Sequence, residues 1–249
     1  MRIRMKAARA ARAVERAAPR RRLTAGGRLR VLVLDVGGTH VKLRLSGSRT
    51  VLKIPSGRTL TPGRMMAAVR RELAAHGWRF DRVSIGFPAP VVQGRILREP
   101  ANLGRGWRRY DLARAFGKPV KVVNDAAMQA LGSHRRGTML FLGLGTGLGS
   151  ALVMDGTLMP LELARLPWRG GELEDSVGQR GLDRLGKRRW KRRVAELVDA
   201  ALRAFVVDDV VLGGGNARHL VPPPPGARLG SNAFAFTGGE RLWRTPSRA

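Results

Sequence analysis

The chain has 249 residues, a formal net charge of +29 and no cysteine. The lack of cysteine excludes disulfides and thiolate metal sites, so a metal needs oxygen or histidine ligands, and Mg²⁺ fits this composition better than zinc does. No apolar run is long enough to span a membrane, and no secretory signal is recognisable. We therefore expect a cytoplasmic protein with no membrane association and no zinc.

The first 29 residues are rich in arginine and low in complexity, and we predict a disordered tail there. They hold ten Lys/Arg residues and a single acid, Glu15, so they carry +9 and leave +20 on the rest of the chain. Two interpretations of the overall excess stay open: a compositional bias of the source genome, or a polyanionic ligand. The segment is too short to build a DNA-recognition scaffold, so we expect no specific DNA binding.

Residues 30–124 are predicted to form an N-terminal α/β domain. Apolar runs separated by turn residues predict an antiparallel meander, followed by helices that alternate with buried strands. The predicted elements are strands at 30–36, 40–45 and 50–54, a helix from Pro62 to Gly77, a strand at 82–87, a short helix at 112–116 and a strand at 118–123.

The same order repeats in residues 125–249, which we predict to form a C-terminal α/β domain. The predicted elements are a short helix at 126–133, a strand, glycine turn and strand at 138–156, a long helix at 182–205 and a strand that runs into a glycine turn at 208–216. Because each half opens with a strand, a glycine turn and a strand, the pattern indicates an internal duplication. A ligand is expected in the cleft between the halves.

Two glycine turns, "VGGTH" at 36–40 and "GLGTGLG" at 143–149, are candidates for phosphate binding. Glycine lets a phosphate reach backbone N–H groups because no Cβ intervenes. A hairpin that needs positive φ would explain one such turn alone. The second turn favours a phosphate chain held from both sides, with a hydroxyl added by Thr39 and another by Thr146.

Two carboxylates complete the chemistry. Asp35 ends a buried strand, where an unpartnered carboxylate would be costly, and Mg²⁺ is the partner we expect. Asp125 follows the strand at 118–123 and begins a helix, so it is either an N-cap or a base that accepts a proton from an attacking hydroxyl. Phosphoryl transfer needs positioning, charge neutralisation and such a base.

Seven motifs resemble, in order and spacing, those of ROK-family sugar kinases, and most of all those of the polyphosphate glucokinase branch. They are "DVGGTHVKL", "SIGFPAPV", "ANLGRGW", "VNDA", "LGLGTGLGSAL", "LELARL" and "VLGGGNA". The resemblance covers residues 30–243. It implies an α/β, two-domain, actin-like (ribonuclease H-like) ATPase fold with a cleft between duplicated halves, and a homodimer.

The resemblance also implies a role for each matching residue. Asp125 is the catalytic base, and Asp35 acts on the metal. Phosphate binding falls to Gly37, Gly38, Thr39, Gly145, Thr146 and Gly147. Substrate binding falls to Asn102, Asn124, Asp125, Glu162, Arg165 and Glu174, and the nucleotide end of a donor to Gly213, Gly214, Gly215 and Asn216.

Three positions depart from the family pattern. The usual "PGP" is "PAP" here, with Ala89 in the middle, and the usual "ELGH" is "ELAR", which introduces Ala164 and Arg165. Arginine only donates hydrogen bonds and stays charged, whereas histidine can donate and accept. Two interpretations stay open: Arg165 pairs with Glu162, three residues earlier, and takes it away from the sugar, or Arg165 donates directly to a sugar oxygen or to an anionic acceptor. We predict weak glucose binding on the first.

The leading hypothesis is a kinase that phosphorylates the 6-hydroxyl of glucose, or of a related hexose, with polyphosphate or ATP as donor. The alternative is a catalytically impaired ROK-like protein that binds a sugar or a polyanion without turnover. A basic run at 184–193 ("RLGKRRWKRR") has two interpretations, a polyphosphate-binding surface or a solvated helix face.

Overall fold

The structure, a computed structural model, describes residues 29–244. Apart from Leu29, the residues predicted as a disordered tail lie outside this range. The strands are β1 (Val31–Val36), β2 (His40–Leu45), β3 (Leu52–Pro55), β4 (Arg82–Phe87), β5 (Val91–Val92), β6 (Arg95–Ile96), β7 (Val120–Asn124), β8 (Thr138–Leu144), β9 (Leu148–Met154), β10 (Thr157–Leu161), β11 (Pro167–Trp168), β12 (Gly171–Glu172), β13 (Asp209–Gly213) and β14 (Ala227–Leu229).

The helices alternate with these strands. They are α1 (Pro62–Ala75), α2 (Leu112–Phe116), α3 (Asp125–Ser133), α4 (Leu173–Val177), α5 (Gln179–Ala204) and α6 (Phe234–Arg241), together with short 3₁₀ helices at Leu163–Arg165 and Gly215–His219. The long helix was predicted at 182–205. It begins three residues earlier and is interrupted at Gly186, where φ is 70°.

Two five-stranded sheets have the same order. The first runs β3-β2-β1-β4-β7 and the second β10-β9-β8-β13-β14. In each sheet three strands form an antiparallel meander, and two further strands add in parallel on the other side. The predicted α/β class, the meander and the repeated halves are confirmed.

Local sequence explains where the main elements begin and end. All six residues of β1 are buried, Asp35 among them, as the apolar run at 31–34 favours, whereas β2 alternates between buried and more exposed positions. Thr61 caps α1 through its side chain, and the proline at the first position of that helix has the φ a helix needs. Gly77, with φ of 60°, ends the segment.

The last helix returns to the first sheet. The Ser84 hydroxyl on β4 donates to the Gly239 carbonyl at 2.6 Å, and the Arg44 guanidinium on β2 pairs with Glu240 at 3.1 Å. Gly132 of α3 and Gly238 of α6 let the two helix backbones touch, because a Cβ on Gly238 would stand 1.8 Å from the Met128 carbonyl oxygen. The predicted boundary at 124/125 falls between the two sheets, but α6, which follows the second sheet in sequence, packs against the first sheet.

The segment between β9 and α5 holds more structure than its charge suggests. We predicted no element for residues 157–178, yet they form β10 to β12, a 3₁₀ helix and α4. The strands there have two to five residues, too few for a period of two to be recognised. Within residues 29–244, no helix combines the length and the apolarity that crossing a membrane requires.

Candidate active site

A cleft of about 660 Å³ brings together residues from both halves. Twelve of the residues predicted for the site line it: Gly38, Thr39, Asn102, Asn124, Asp125, Gly145, Thr146, Gly147, Glu162, Arg165, Glu174 and Gly214. Ala89 and Ala164, the two alanines that depart from the family pattern, also line it. Motifs up to about 175 residues apart in sequence therefore meet in one concave surface.

The first glycine turn joins β1 to β2. The Gly37 N–H closes the turn by donating to the His40 carbonyl at 3.0 Å, and the Ser56 hydroxyl donates to the Gly37 carbonyl at 2.6 Å. Within residues 29–244, the N–H groups of Gly38 and Thr39 have no hydrogen-bond acceptor. Those two groups are therefore available to a ligand.

The second glycine turn joins β8 to β9 and closes in the same way. The Gly145 N–H donates to the Gly147 carbonyl at 3.0 Å. The N–H groups of Thr146 and Gly147 find no acceptor in the part of the chain that the structure describes. The turn is held from behind by the Gln179 N–H at the start of α5, which donates to the Gly145 carbonyl at 3.0 Å.

Positive φ does not explain the glycines of either turn. Gly37, Gly38, Gly145 and Gly147 all lie outside the positive-φ region, so the alternative of a turn that needs such φ values is wrong. At Gly147 a Cβ would stand 2.4 Å from a carboxylate oxygen of Glu174. At Gly145 a Cβ would meet nothing within 4 Å, and the residue faces the cleft. The remaining physical reason for a glycine at position 145 is that a ligand can approach the backbone closely where no side chain intervenes.

Among the acids of the site, Asp125 has the most strongly shifted pKa. The pKa of its carboxyl is raised to about 7, first by burial and then by the nearby charges of Asp35 and Glu162. The hydrogen bond from the Ala126 N–H acts in the opposite direction. Its Oδ1 accepts that N–H at 2.8 Å. A carboxylate with a pKa near neutrality can take up a proton and release it at the pH of a cell.

Asn124, not Asp125, is the N-cap of α3. The Asn124 side-chain oxygen accepts from the N–H groups of Ala126 and Ala127 at 3.0 and 3.4 Å, and its amide donates to the Ala89 carbonyl at 3.3 Å. The alternative that Asp125 is present to cap the helix is therefore wrong. Ala89 itself is buried and supplies an acceptor for this cap.

Asp35 has a protein partner. Its Oδ2 pairs with the Lys42 ammonium at 3.2 Å, and the two residues face each other across β1 and β2. The carboxylate is therefore not left unpartnered without Mg²⁺, the partner that we expected from the sequence. Within residues 29–244, no group of three or more His, Asp or Glu residues could hold a metal by itself. A single carboxylate such as Asp35 fits a Mg²⁺ ion that is bound mainly by substrate phosphates, because such an ion commonly needs only one or two carboxylates from the protein.

The acidic side of the cleft is organised by Arg165. Its guanidinium contacts the Glu172 carboxylate and lies 3.0 Å from that of Glu174. The predicted pairing with Glu162 is wrong, because the hairpin of β11 and β12 brings later acids closer to Arg165. Glu162 is exposed along the cleft, and Glu174 is the candidate sugar ligand that arginine engages.

The residues after β13 divide into two groups. Asn216 is buried, and its amide donates to the Gly145 carbonyl at 3.3 Å and to Gln179 at 3.0 Å, so it supports the second turn from behind. A Cβ on Gly213 would stand 2.4 Å from the Phe141 ring. Neither residue lines the cleft, whereas Gly214 does and Gly215 is exposed beside it.

Four polar side chains that line the cleft were not predicted from the sequence: Gln129, Ser150, Asp175 and Arg180. Gln129 lies one helical turn after Asp125 on α3, and that spacing was a usable signal. Arg180 and Asp175 flank the junction of α4 and α5, for which no pattern was recognised.

Relatives of known name share the sequence pattern. A sequence model described as the ROK family matches residues 31–160, slightly more than half of the chain. A polyphosphate glucokinase of Mycobacterium leprae is 28% identical over 208 residues, which cover 74% of this chain and 63% of that protein, so the chain spans somewhat less than two thirds of this relative. A polyphosphate glucokinase of Mycobacterium tuberculosis is 27% identical, with 74% and 77% covered.

Solved structures share the fold. An inorganic polyphosphate/ATP-glucomannokinase from Arthrobacter sp. strain KM superposes with a TM-score of 0.72 at 24% identity, covering 86% of this chain and 99% of that one. A ROK family glucokinase from Streptomyces griseus, in complex with glucose and AMPPNP, superposes with a TM-score of 0.67 at 18% identity, covering 87% and 99%. The fold is therefore the actin-like ATPase fold. The chain belongs to the ROK family.

Proposed function

We propose that the protein is a sugar kinase that transfers a phosphoryl group from polyphosphate or ATP to the 6-hydroxyl of glucose or a related hexose. The position of Asp125 carries the proposal, because a carboxyl group with a pKa raised to about 7 lies in the cleft that both glycine turns line. Phosphoryl transfer to an alcohol uses such a base beside phosphate-binding backbone.

On the acceptor side, Asp125 accepts the proton of the 6-hydroxyl as that oxygen attacks the terminal phosphorus of the donor. The bond from this phosphorus to its bridging oxygen breaks, and the shortened donor leaves with the electron pair. Asn102 and Glu162 are exposed along the cleft and hold other hydroxyls of the sugar. Asn124 fixes the start of α3 and so the position of Asp125.

On the donor side, phosphate oxygens accept from the N–H groups that the turns leave without acceptors, those of Gly38 and Thr39 and those of Thr146 and Gly147. In this assignment the first glycines, Gly37 and Gly145, close the turns and do not bind phosphate. Gly214 and Gly215 contact the far end of the donor, while Gly213 and Asn216 keep the second turn in place.

The metal site we propose is small. Asp35 is the residue that would hold Mg²⁺, together with the donor phosphates, while Lys42 balances the charge of its carboxylate. When bound, Mg²⁺ neutralises negative charge on the phosphates.

Two observations support polyphosphate as a donor. The mycobacterial relatives are named polyphosphate glucokinases, and the Arthrobacter structure is titled a polyphosphate/ATP-glucomannokinase. The chain also carries +20 outside its first 29 residues, and a long polyanion makes many contacts with such a surface.

A second candidate function is binding of a sugar or a polyanion without turnover. The ion pair between Arg165 and Glu174 favours it, since a carboxylate held by arginine is less available to sugar hydroxyls.

One assay separates these functions. The protein is incubated with glucose and Mg²⁺, and with either ATP or polyphosphate, and glucose 6-phosphate is measured. We expect product with polyphosphate, and none from Asp125→Asn under the same conditions. Glucose binding without product from either donor would overturn the kinase proposal in favour of the binding function.

A further inference from the structure

A cationic patch lies where α5 packs against the 3₁₀ helix Gly215–His219. The Trp190 ring is fully buried and meets the His219 ring edge to face, with centroids 6.4 Å apart. Lys187 and Lys191 flank this tryptophan on α5, and Arg218 precedes the histidine; all three cations are exposed. Desolvation lowers the pKa of His219, and so do the charges of Lys187, Arg218 and Lys191. We call Lys187, Lys191 and Arg218 the donor-side patch.

The positive charge of the donor-side patch is not compensated within the described chain. Between residues 29 and 244, none of its three cations forms an ion pair or a side-chain hydrogen bond. Arg193 and Arg203 on the same helix do form ion pairs, with Glu196 and Asp199. A cluster of like charges is unfavourable in isolation and attracts an anion.

The patch continues the donor end of the cleft. Gly214 lines the cleft, and the 3₁₀ helix starts at the next residue. Arg218 is four residues beyond Gly214, so at about 2 Å per residue it lies about 8 Å further along. The same helix carries Asn216, which supports the second glycine turn. The second glycine turn and Arg218 of the patch are therefore joined through this 3₁₀ helix.

We infer that the donor-side patch binds the part of an inorganic polyphosphate chain that extends out of the cleft. A neutral adenosine group gains nothing from three cations, whereas each added phosphate brings another negative charge. A single-stranded nucleic acid would be expected to stack its bases on exposed aromatic rings. Of the two rings at this patch, Trp190 is buried, and His219 is half-buried and packs against it. The inference rests on the proposed function for the direction in which the chain runs.

The test compares two triple variants of the full chain. Lys187→Gln, Lys191→Gln and Arg218→Gln remove the patch. Arg188→Gln, Arg189→Gln and Arg192→Gln remove the same charge from neighbouring exposed positions that point to other sides of α5. Binding of long-chain polyphosphate and of tripolyphosphate is measured for both variants and for the unchanged protein at several salt concentrations, with melting temperatures as a check on folding.

We expect the patch variant to lower the ratio of long-chain to tripolyphosphate affinity by at least about tenfold. The slope of log affinity against log salt should fall by about two to three for three lost contacts. The control variant should keep most of the affinity ratio and most of the salt slope. Equal losses in the two variants would overturn the inference, since they would show a diffuse charge effect. Equally strong competition by single-stranded DNA through the same three residues would overturn polyphosphate as the ligand.

Failure of this inference is distinguishable from failure of the proposed function. If glucose is phosphorylated while the patch variant binds long chains like the unchanged protein, the kinase proposal stands and the patch inference falls. If no donor yields product while the patch variant alone loses long-chain binding, the patch inference stands and the kinase proposal falls.

Discussion

The two glycine turns close through similar backbone hydrogen bonds, from Gly37 to His40 and from Gly145 to Gly147, but have different supports. Each closes through the N–H of its first glycine, Gly37 or Gly145, and leaves the next N–H groups without an acceptor in the described chain. The first turn is held by Ser56, which directly follows β3 of its own sheet. The second is held by Asn216 and by the start of α5.

This difference links the second turn to both substrates. Glu174, the candidate sugar ligand, occupies the space beside Gly147 that a Cβ would need. Asn216 lies in the 3₁₀ helix that carries the donor-side patch. A change in the first turn should therefore remain local, whereas a change behind the second turn should affect both ends of the cleft.

The largest expected effect is at the carboxylate that lies between the turns. Asp125→Asn should lower the rate of glucose phosphorylation by about 10² to 10⁴, because an amide cannot accept the hydroxyl proton. Glucose affinity, measured by calorimetry, should change little, since Asn124 and not Asp125 caps the helix. A variant with near-normal turnover would exclude Asp125 as the base.

The pH dependence should follow the same group. The rate should fall about tenfold per pH unit below a pH of about 7, where Asp125 becomes protonated, and the residual rate of Asp125→Asn should lack this step. The folded-state pKa of about 7 lies above the ordinary 3.8, so between these pH values the folded protein holds a proton that the unfolded chain has lost. The contribution of Asp125 to the free energy of unfolding should therefore fall as pH rises from about 4 to about 7. Denaturation at several pH values checks this sign, and a contribution that rises over that range would contradict it.

Two identical substitutions around the second turn should separate stability from binding. A Cβ on Gly149 would stand 2.5 Å from that of Ala126, so Gly149→Ala should lower the free energy of unfolding by about 1 to 3 kcal/mol. Gly145→Ala places its methyl in open space toward the cleft and should leave stability unchanged. It should weaken donor binding by about tenfold, near 1.4 kcal/mol. Unchanged donor affinity in Gly145→Ala would contradict the role of this turn.

The unequal supports can be compared directly. Asn216→Ala removes two hydrogen bonds from buried positions and should cost about 2 kcal/mol, with weaker donor binding. Ser56→Ala removes one hydrogen bond behind the first turn and should cost about 1 kcal/mol or less. Chemical denaturation gives both values. Equal effects on stability and on donor binding would remove the distinction between the turns.

The last comparison concerns the acceptor sugar. Arg165→His should release Glu174 and tighten glucose binding by about tenfold, near 1.4 kcal/mol. Arg169→His is the matched control, since Arg169 lies four residues after Arg165, in the turn between β11 and β12, and pairs with Glu196. Calorimetric titration of glucose into each protein measures the difference. Weaker binding in Arg165→His would mean that the arginine itself donates to the sugar.

Sequence by itself determined the elements whose signal is local. The apolar run at 31–34 of β1, the alternation of β2 and the proline and glycine that bound α1 each depend on neighbouring residues alone. The two glycine turns were recognisable because both recur in the same strand context. Even the pairing of Asp35 with Lys42 follows from the register of the first hairpin, although we did not derive it from the sequence.

Only the tertiary structure decided the contacts that join distant segments. Arg165 pairs with Glu174 and not with Glu162 because the β11–β12 hairpin folds back, and these strands of two residues have no period to recognise. Asn216 supports Gly145 across 71 residues, and α6 returns to the first sheet across the predicted domain boundary. Such contacts depend on which surfaces pack together and on the shape left between them. A local pattern of residue types specifies the faces to be buried but not their partners. The support that Asn216 gives to the second turn and the pairing of Arg165 with Glu174 were therefore visible only in the folded chain.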